Sequence, residues 1–226
     1  MRASFGVSVV VPVFNSEAVL PVTISKLSNY LTDAFVKHEI IFIDDGSVDQ
    51  SANILRAAAI ENKNIRIYSH EVNRGQQQSL RDGFQLAKYE VILSVDADLP
   101  CALTDLQRIS LKAYNHLELV FGRRSSNRHQ ALWRKLGSDM ANILFRLLYS
   151  YEIRDFGCSL AAMRRSLIEK LSQQTKPTLL IKMDLLFWAE TYGEMEYQSP
   201  IRSTRSSYSF LKLLRLFWLM LTYRIQ

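Results

Sequence analysis

Cysteine is scarce. The 226-residue chain has two, Cys101 and Cys158, far apart and without CxxC spacing. That argues against a disulfide framework and fits a reducing compartment. No window reaches the roughly 20 apolar residues of a membrane-spanning helix. The N-terminus, Met1-Arg2-Ala3-Ser4-Phe5, runs straight into a strand-like segment without a charged-then-apolar leader pattern, so no signal peptide is expected. The four histidines (His38, His70, His116, His129) lack metal-ligand spacing. Internal repeats and low-complexity tracts are absent. A dinucleotide-dependent oxidoreductase needs GxGxxG after its first strand, and Pro12-Val13-Phe14-Asn15 stands there instead.

What is present supports one large domain. Apolar residues make up 48% of the chain, enough to bury a core without disulfides. The formal charge of +6 and pI near 9.3 favour anionic partners. The basic residues are dispersed and form no nucleic-acid reader motif, so no nucleic-acid partner is expected. Phosphorylated small molecules and anionic lipid headgroups remain.

Short apolar runs at 7–13, 39–43, 65–69, 91–95 and 117–122 predict buried strands. Between them, helical patterns span 16–31, 51–61, 76–88 and 104–114. This alternation predicts an α/β fold with a mainly parallel central sheet flanked by helices. Ligands of such sheets sit beyond the carboxyl ends of the strands. Further on, a basic loop is expected at 122–130 and helices at 132–149, 165–171 and 179–192. Strands are expected at 158–163 and 194–199. Segment 208–223 is apolar apart from Ser209, Lys212, Arg215 and Thr222; the first three are spaced by three and make a narrow polar and basic stripe on one helix face.

The strand ends carry the chemistry. Asp96-Ala97-Asp98 follows a strongly apolar strand. In an extended segment the side chains at i and i+2 point the same way, so both carboxylates approach one hard cation such as Mg²⁺ or Mn²⁺. Asp44-Asp45-Gly46-Ser47 leaves the same sheet edge. A carboxylate there suits a base N–H or a ribose hydroxyl, Gly46 permits a tight turn, and Ser47 or Asp49 can cap the next helix. At the end of strand one, Pro12 is expected to end the ladder and Phe14 to line a nucleotide pocket. Asn73-Arg74-Gly75-Gln76 enters a helix whose N-terminus favours an anion.

Together these elements resemble the family-2 glycosyltransferases. The succession is VSVVVPVFN, IIFIDDGS, NRGQQQSLRDGF and VILSVDADLP. The resemblance implies a GT-A fold, with residues 1–125 as a nucleotide-sugar half, 126–206 as an acceptor half and 207–226 as an amphipathic helix. It implies a donor pocket of Pro12, Val13, Phe14, Asn15, Glu17, Asp44, Asp45, Gly75, Gln76, Asp96 and Ala97. Asp98, with Asp96, would hold Mg²⁺ or Mn²⁺. Asp155-Phe156-Gly157-Cys158-Ser159-Leu160 is similar to a segment of bacterial polyprenyl-phosphate aminoarabinose transferases and, more broadly, of the dolichyl-phosphate mannosyltransferase group. Arg205-Ser206-Ser207-Tyr208-Ser209-Phe210 resembles their Ser-Lys-Tyr-Ser-Phe stretch. The chain departs from that pattern at Ser16, at Pro100-Cys101-Ala102 and at Ser207.

The implied activity is inverting transfer of a sugar from a nucleoside-diphosphate sugar to a polyprenyl phosphate at the cytoplasmic face of a membrane. A lipid phosphate is already anionic at neutral pH and needs little general-base help, so positioning and charge stabilisation do the work. Arg128 and Arg134 would grip phosphate, because guanidinium pairs with it bidentately. Arg205, Lys212 and Arg215 would meet the phosphate or the membrane, and the terminal helix would lie among headgroups. A dimer or core helix is the competing reading of that segment, and a homo-oligomer is compatible with the sequence. Asp155 is expected to orient an arginine or sit near the sugar. Two alternatives stay open: a saccharide acceptor in cell-envelope synthesis, and a non-catalytic GT-A binding module.

Overall fold

The computed structural model describes residues 2–125, 151–155, 157–173 and 180–198. In chain order the elements are β1 (Ala3–Val13), α1 (Leu20–Ala34), β2 (Phe35–Asp44), α2 (Ser51–Glu61), β3 (Ile65–Ser69), α3 (Gln76–Leu86), β4 (Val91–Ser94), α4 (Leu103–Asn115), β5 (Leu119–Arg124), β6 (Ala161–Arg164), α5 (Arg165–Ser172), α6 (Ile181–Trp188) and β7 (Tyr192–Tyr197).

Period-two alternation divides the strand side chains between two buried faces. Val7, Val9, Val11, Ile40, Phe42, Val91 and Leu93 pack with Leu27 and Leu31 of α1, Leu55 of α2 and Ile109 of α4. Val10, Ile41, Ile43 and Ile92 point the other way, against Leu80 and Phe84 of α3, Leu167 of α5 and Ile181 of α6. Strands apolar on both faces are the signature of a sheet sandwiched between helices.

The seven strands lie in the order β3-β2-β1-β4-β6-β5-β7. Strands β3, β2, β1 and β4 run parallel, as do β5 and β7; β6 is antiparallel to both its neighbours. The chain winds outward from β1 to β3, and α3 then carries it back to β4 on the other side of β1. The winding direction therefore reverses between β1 and β4, and a crevice opens at their carboxyl ends.

Several boundaries differ from the sequence reading. Pro12 does not end β1, which pairs with β2 through Pro12↔Ile43 and Val13↔Asp44. The carbonyl of Val10 faces β4 and that of Val13 faces β2, so the backbone of Pro12 faces β4. There β4 has already ended, and the missing N–H costs no ladder bond. Helix α1 starts at Leu20 rather than at residue 16, because 16–19 form a turn in which Val19 and Leu20 N–H groups bond to the Ser16 carbonyl. Strand β5 runs to Arg124, beyond the expected loop start at Gly122, and is extended by β7 through Arg124↔Tyr197. Helix α6 stops at Trp188, and Tyr192 begins a strand where a helix was expected to end.

Candidate active site

Four loops border the crevice, and each contains one residue with positive φ: Asn15 after β1 (48°), Gly46 after β2 (69°), Gly75 before α3 (90°) and Leu99 after β4 (47°). These are all the positive-φ residues among the described residues. Asn tolerates this region, but Leu does not adopt it without cost, and such strain concentrates at functional sites.

The first two loops are stitched together. Asn15 N–H donates to Ser47 Oγ at 3.0 Å, and Asn15 Oδ1 accepts from Val48 N–H at 2.9 Å. Ser16 N–H reaches Ser51 Oγ, and Glu17 N–H reaches Asp49 Oδ2. Glu17 Oε2 accepts from Gln50 N–H, and Asp49 Oδ1 caps α2 through Ser51 N–H at 2.9 Å. Phe14 projects from this seam, 48% exposed, so its ring is available to a ligand. Val13 is buried and Pro12 half-buried behind it.

The two acids after β2 divide their work. Asp44 accepts Ser47 N–H at Oδ1 (3.2 Å), which closes the turn around Gly46. Asp45 is buried and holds the third loop: Oδ1 accepts from Arg74 N–H and Oδ2 from Gly75 N–H, both at 2.8 Å. His70 Nδ1 contacts the same Oδ1 at 2.7 Å. Burial pushes the Asp45 carboxyl up, but the bonds from His70 and the two amides outweigh it and hold it below the ordinary carboxylate value.

Asp96-Ala97-Asp98 does not continue β4 as an extended segment. It lies in a turn closed by Leu99 N–H on the Asp96 carbonyl at 3.0 Å, so the turn rather than strand alternation sets the two acids. Gln76 Nε2 donates to Asp96 Oδ1 at 3.0 Å, joining the third loop to the fourth. Thr23 Oγ1 of α1 donates to the Ala97 carbonyl at 2.5 Å and pins the turn from below. Asp96 is half-buried and Asp98 exposed. Two carboxylates on a fixed turn are hard oxygen donors of the kind Mg²⁺ and Mn²⁺ take when a diphosphate supplies further ligands. Among the described residues no group of three or more His, Cys, Asp or Glu gathers to hold a metal by protein ligands alone.

Beside the turn lies a partly buried ionic cluster. Asp155 orients an arginine, as expected, and that arginine is Arg124. Nε and one Nη of Arg124 donate to the two carboxylate oxygens at 2.8 Å each, and Arg124 N–H adds a bond at 3.0 Å. Burial pushes the Asp155 carboxyl up, and this fork overrules it, leaving a net value below the ordinary one. The backbone N–H groups of Arg154 and Asp155 are held by Glu194 Oε1 of β7. Lys182 of α6 donates to the Cys158 carbonyl and stands 5.7 Å from the Phe121 ring centroid. Burial lowers its pKa, against the pull of nearby Cys158, Asp96 and Asp155. Burial pushes the Cys101 thiol up to about 12 and raises Cys158 too, so neither is a thiolate nucleophile.

Sequence reasoning missed Thr23, His70, Arg124 and Lys182. No spacing signals them, because each meets the site through tertiary contact. Arg128, Arg134, Arg205, Lys212, Arg215, the helix expected at 132–149 and the terminal helix lie outside the described residues. No helix among the described residues is long and apolar enough to cross a membrane.

The model of glycosyl transferase family 2 matches residues 8–172. The chain is 34% identical over 218 residues to an undecaprenyl-phosphate 4-deoxy-4-formamido-L-arabinose transferase of Pectobacterium carotovorum subsp. carotovorum (strain PC1), covering 96% of this chain and 66% of that one. It is 32% identical over 218 residues to the protein of the same name from Proteus mirabilis (strain HI4320), covering 96% and 67%. The chain thus spans about two thirds of the length of these curated relatives. Among solved structures, glucosyl-3-phosphoglycerate synthase of Mycobacterium tuberculosis superposes with a TM-score of 0.71 at 18% identity, covering 99% of this chain and 82% of that one. The same enzyme in complex with Mn²⁺, UDP-glucose and phosphoglyceric acid gives 0.70 at 17% identity, covering 97% and 79%. At that identity the likeness carries the fold.

Proposed function

The chain belongs to glycosyl transferase family 2 and has the GT-A fold, and from that premise we propose that it moves a sugar from a nucleoside-diphosphate sugar to a polyprenyl phosphate. The observation that carries the donor half is the convergence of four strained or turn-locked loops on one crevice, with two carboxylates at the reversal point of the sheet. The acceptor half rests on the relatives, named for undecaprenyl phosphate, whose likeness extends over 96% of this chain.

In this reading Phe14, Asn15 and Asp44 face the nucleoside, while Asp45 and Glu17 hold the loops that form its pocket. Gly75 and Gln76, at the N-terminus of α3, approach the diphosphate. Asp98, aided by Asp96, would hold Mg²⁺ or Mn²⁺, which would neutralise charge growing on the leaving diphosphate. Gln76 and Thr23 keep the turn of Asp96 and Asp98 from shifting during the reaction. The Arg124–Asp155 pair fixes the β5 end from which the chain departs towards Arg128 and Arg134, which grip the acceptor phosphate. The acceptor oxygen is anionic and attacks opposite the leaving group, which inverts the anomeric centre. Arg205, Lys212 and Arg215 meet the inner face of the cell membrane, where the protein sits peripherally.

The test is a panel of UDP- and GDP-linked sugars, including 4-deoxy-4-formamido-L-arabinose, with Mn²⁺ or Mg²⁺ and a short polyprenyl phosphate. A lipid-linked sugar that disappears with Asp98→Ala supports the reading. Product only on a water-soluble saccharide moves the acceptor to the envelope-polysaccharide alternative. Nucleotide binding without product from any donor points to the non-catalytic module.

A further inference from the structure

His70 sits one residue past β3, with its side chain 1% exposed and a carboxylate at each ring nitrogen. Nδ1 lies 2.7 Å from Asp45 Oδ1, and Nε2 lies 2.9 Å from Asp82 Oδ2 of α3. A ring with one proton donates to one of them; a ring with two donates to both. Gln78 Nε2 fixes the other oxygen of Asp82 at 2.8 Å, and the Tyr68 ring stands edge-on to the imidazole at 5.6 Å. Asp45 in turn holds the Arg74 and Gly75 amides. A continuous line of contacts therefore runs from the body of α3 through His70 and Asp45 to the turn that opens the same helix. At that turn no described atom beyond Gly75 and its two chain neighbours lies within 4 Å of where a Gly75 Cβ would stand, leaving room for a ligand against the backbone.

We propose that His70 is a positioning residue for the donor site: by bridging Asp82 and Asp45 it fixes the 73–75 turn and sets the affinity for the nucleoside diphosphate without touching it. This rests on the donor reading above. A turn held before binding spares the donor the entropic cost of ordering it. Catalysis after binding does not involve the imidazole, so its removal acts on KM and leaves kcat alone.

The experiment pairs amide hydrogen exchange of the ligand-free chain with UDP and GDP titrations in Mn²⁺ and steady-state kinetics. His70→Ala is expected to speed exchange across 71–76 and to raise the nucleotide Kd and donor KM about tenfold, as loss of a supporting contact does, with kcat held within twofold. His70→Gln, which restores one donor, recovers part of the affinity. If His70→Ala does not fold, Asp82→Asn keeps the ring on Asp45 and is expected to give the same shift in smaller measure. Unchanged exchange and unchanged KM, or a fall in kcat at constant KM, overturns the proposal. If the wild-type chain binds neither UDP nor GDP, the donor reading fails and takes the affinity claim with it, whereas altered exchange beside normal wild-type nucleotide binding and an unmoved Kd overturns the affinity claim alone.

Discussion

Two glycines of the crevice separate backbone strain from steric clash. Gly46 and Gly75 both have positive φ, and alanine at either costs about 1–3 kcal/mol in backbone strain, Gly75 (φ 90°, ψ 153°) lying in a region essentially confined to glycine. At Gly46 the new methyl would also stand 2.8 Å from the Val72 carbonyl carbon and 2.8 Å from the Asn73 nitrogen. Both are main-chain atoms that cannot rotate away, so overpacking adds about 1–3 kcal/mol. At Gly75 no described atom is near. Gly46→Ala is thus expected to carry about 1–3 kcal/mol of clash on top of its strain, which for a chain of this size lowers Tm by roughly a further 2–12 °C. Urea unfolding and thermal scans of the two variants read the difference. Donor affinity should fall further in Gly75→Ala, because its methyl points into the space open to the ligand. A Gly46→Ala variant that loses less than about 2 kcal/mol would refute the close packing of the second loop on the third.

Asp45, Asp155 and Glu39 all have folded pKa values below the ordinary carboxylate value, in each case because hydrogen bonds outweigh burial. Their contribution to stability is full above the unfolded value of about 4 and is lost as pH falls through the folded ones; a Tm that stays flat from pH 6 to pH 3 would contradict this. Asp155→Asn removes the charge that the Arg124 fork grips and should cost about 2 kcal/mol in urea unfolding, and a change below about 0.5 kcal/mol would mean the pair is solvated. Thr23→Val removes the hydroxyl on the Ala97 carbonyl at nearly constant shape. It should cost about 1 kcal/mol and weaken Mn²⁺-dependent nucleotide binding, and unchanged binding would show that the turn is set from elsewhere.

Local pattern made most of the first half legible. Strand β3 and helix α2 lie where the sequence puts them, at Ile65–Ser69 and Ser51–Glu61. Apolar runs bounded by Asp, Asn and Gly leave little choice there, and Gly46 and Asp49 supply the turn and the cap. The acids at 44–45 and 96–98 were visible for the same reason, since strand ends in an alternating α/β chain must share one edge. What each acid does was not visible. The sequence treats Asp44 and Asp45 alike, yet Asp45 is bound to the third loop by atoms 25 to 30 residues away. The stretch 179–192 fits a helical pattern throughout. Pairing with β5 turns Tyr192 into a strand residue, because parallel ladder bonds compensate for leaving the helix. Composition and period thus determined the fold class and the sheet edge that carries the candidate site, and the resemblance of four motif stretches pointed to the family. Only the tertiary structure decided that Arg124 partners Asp155, that His70 bridges two carboxylates and that Lys182 enters the site. Those contacts join residues whose separation along the chain carries no periodic signal and whose meeting depends on strand order.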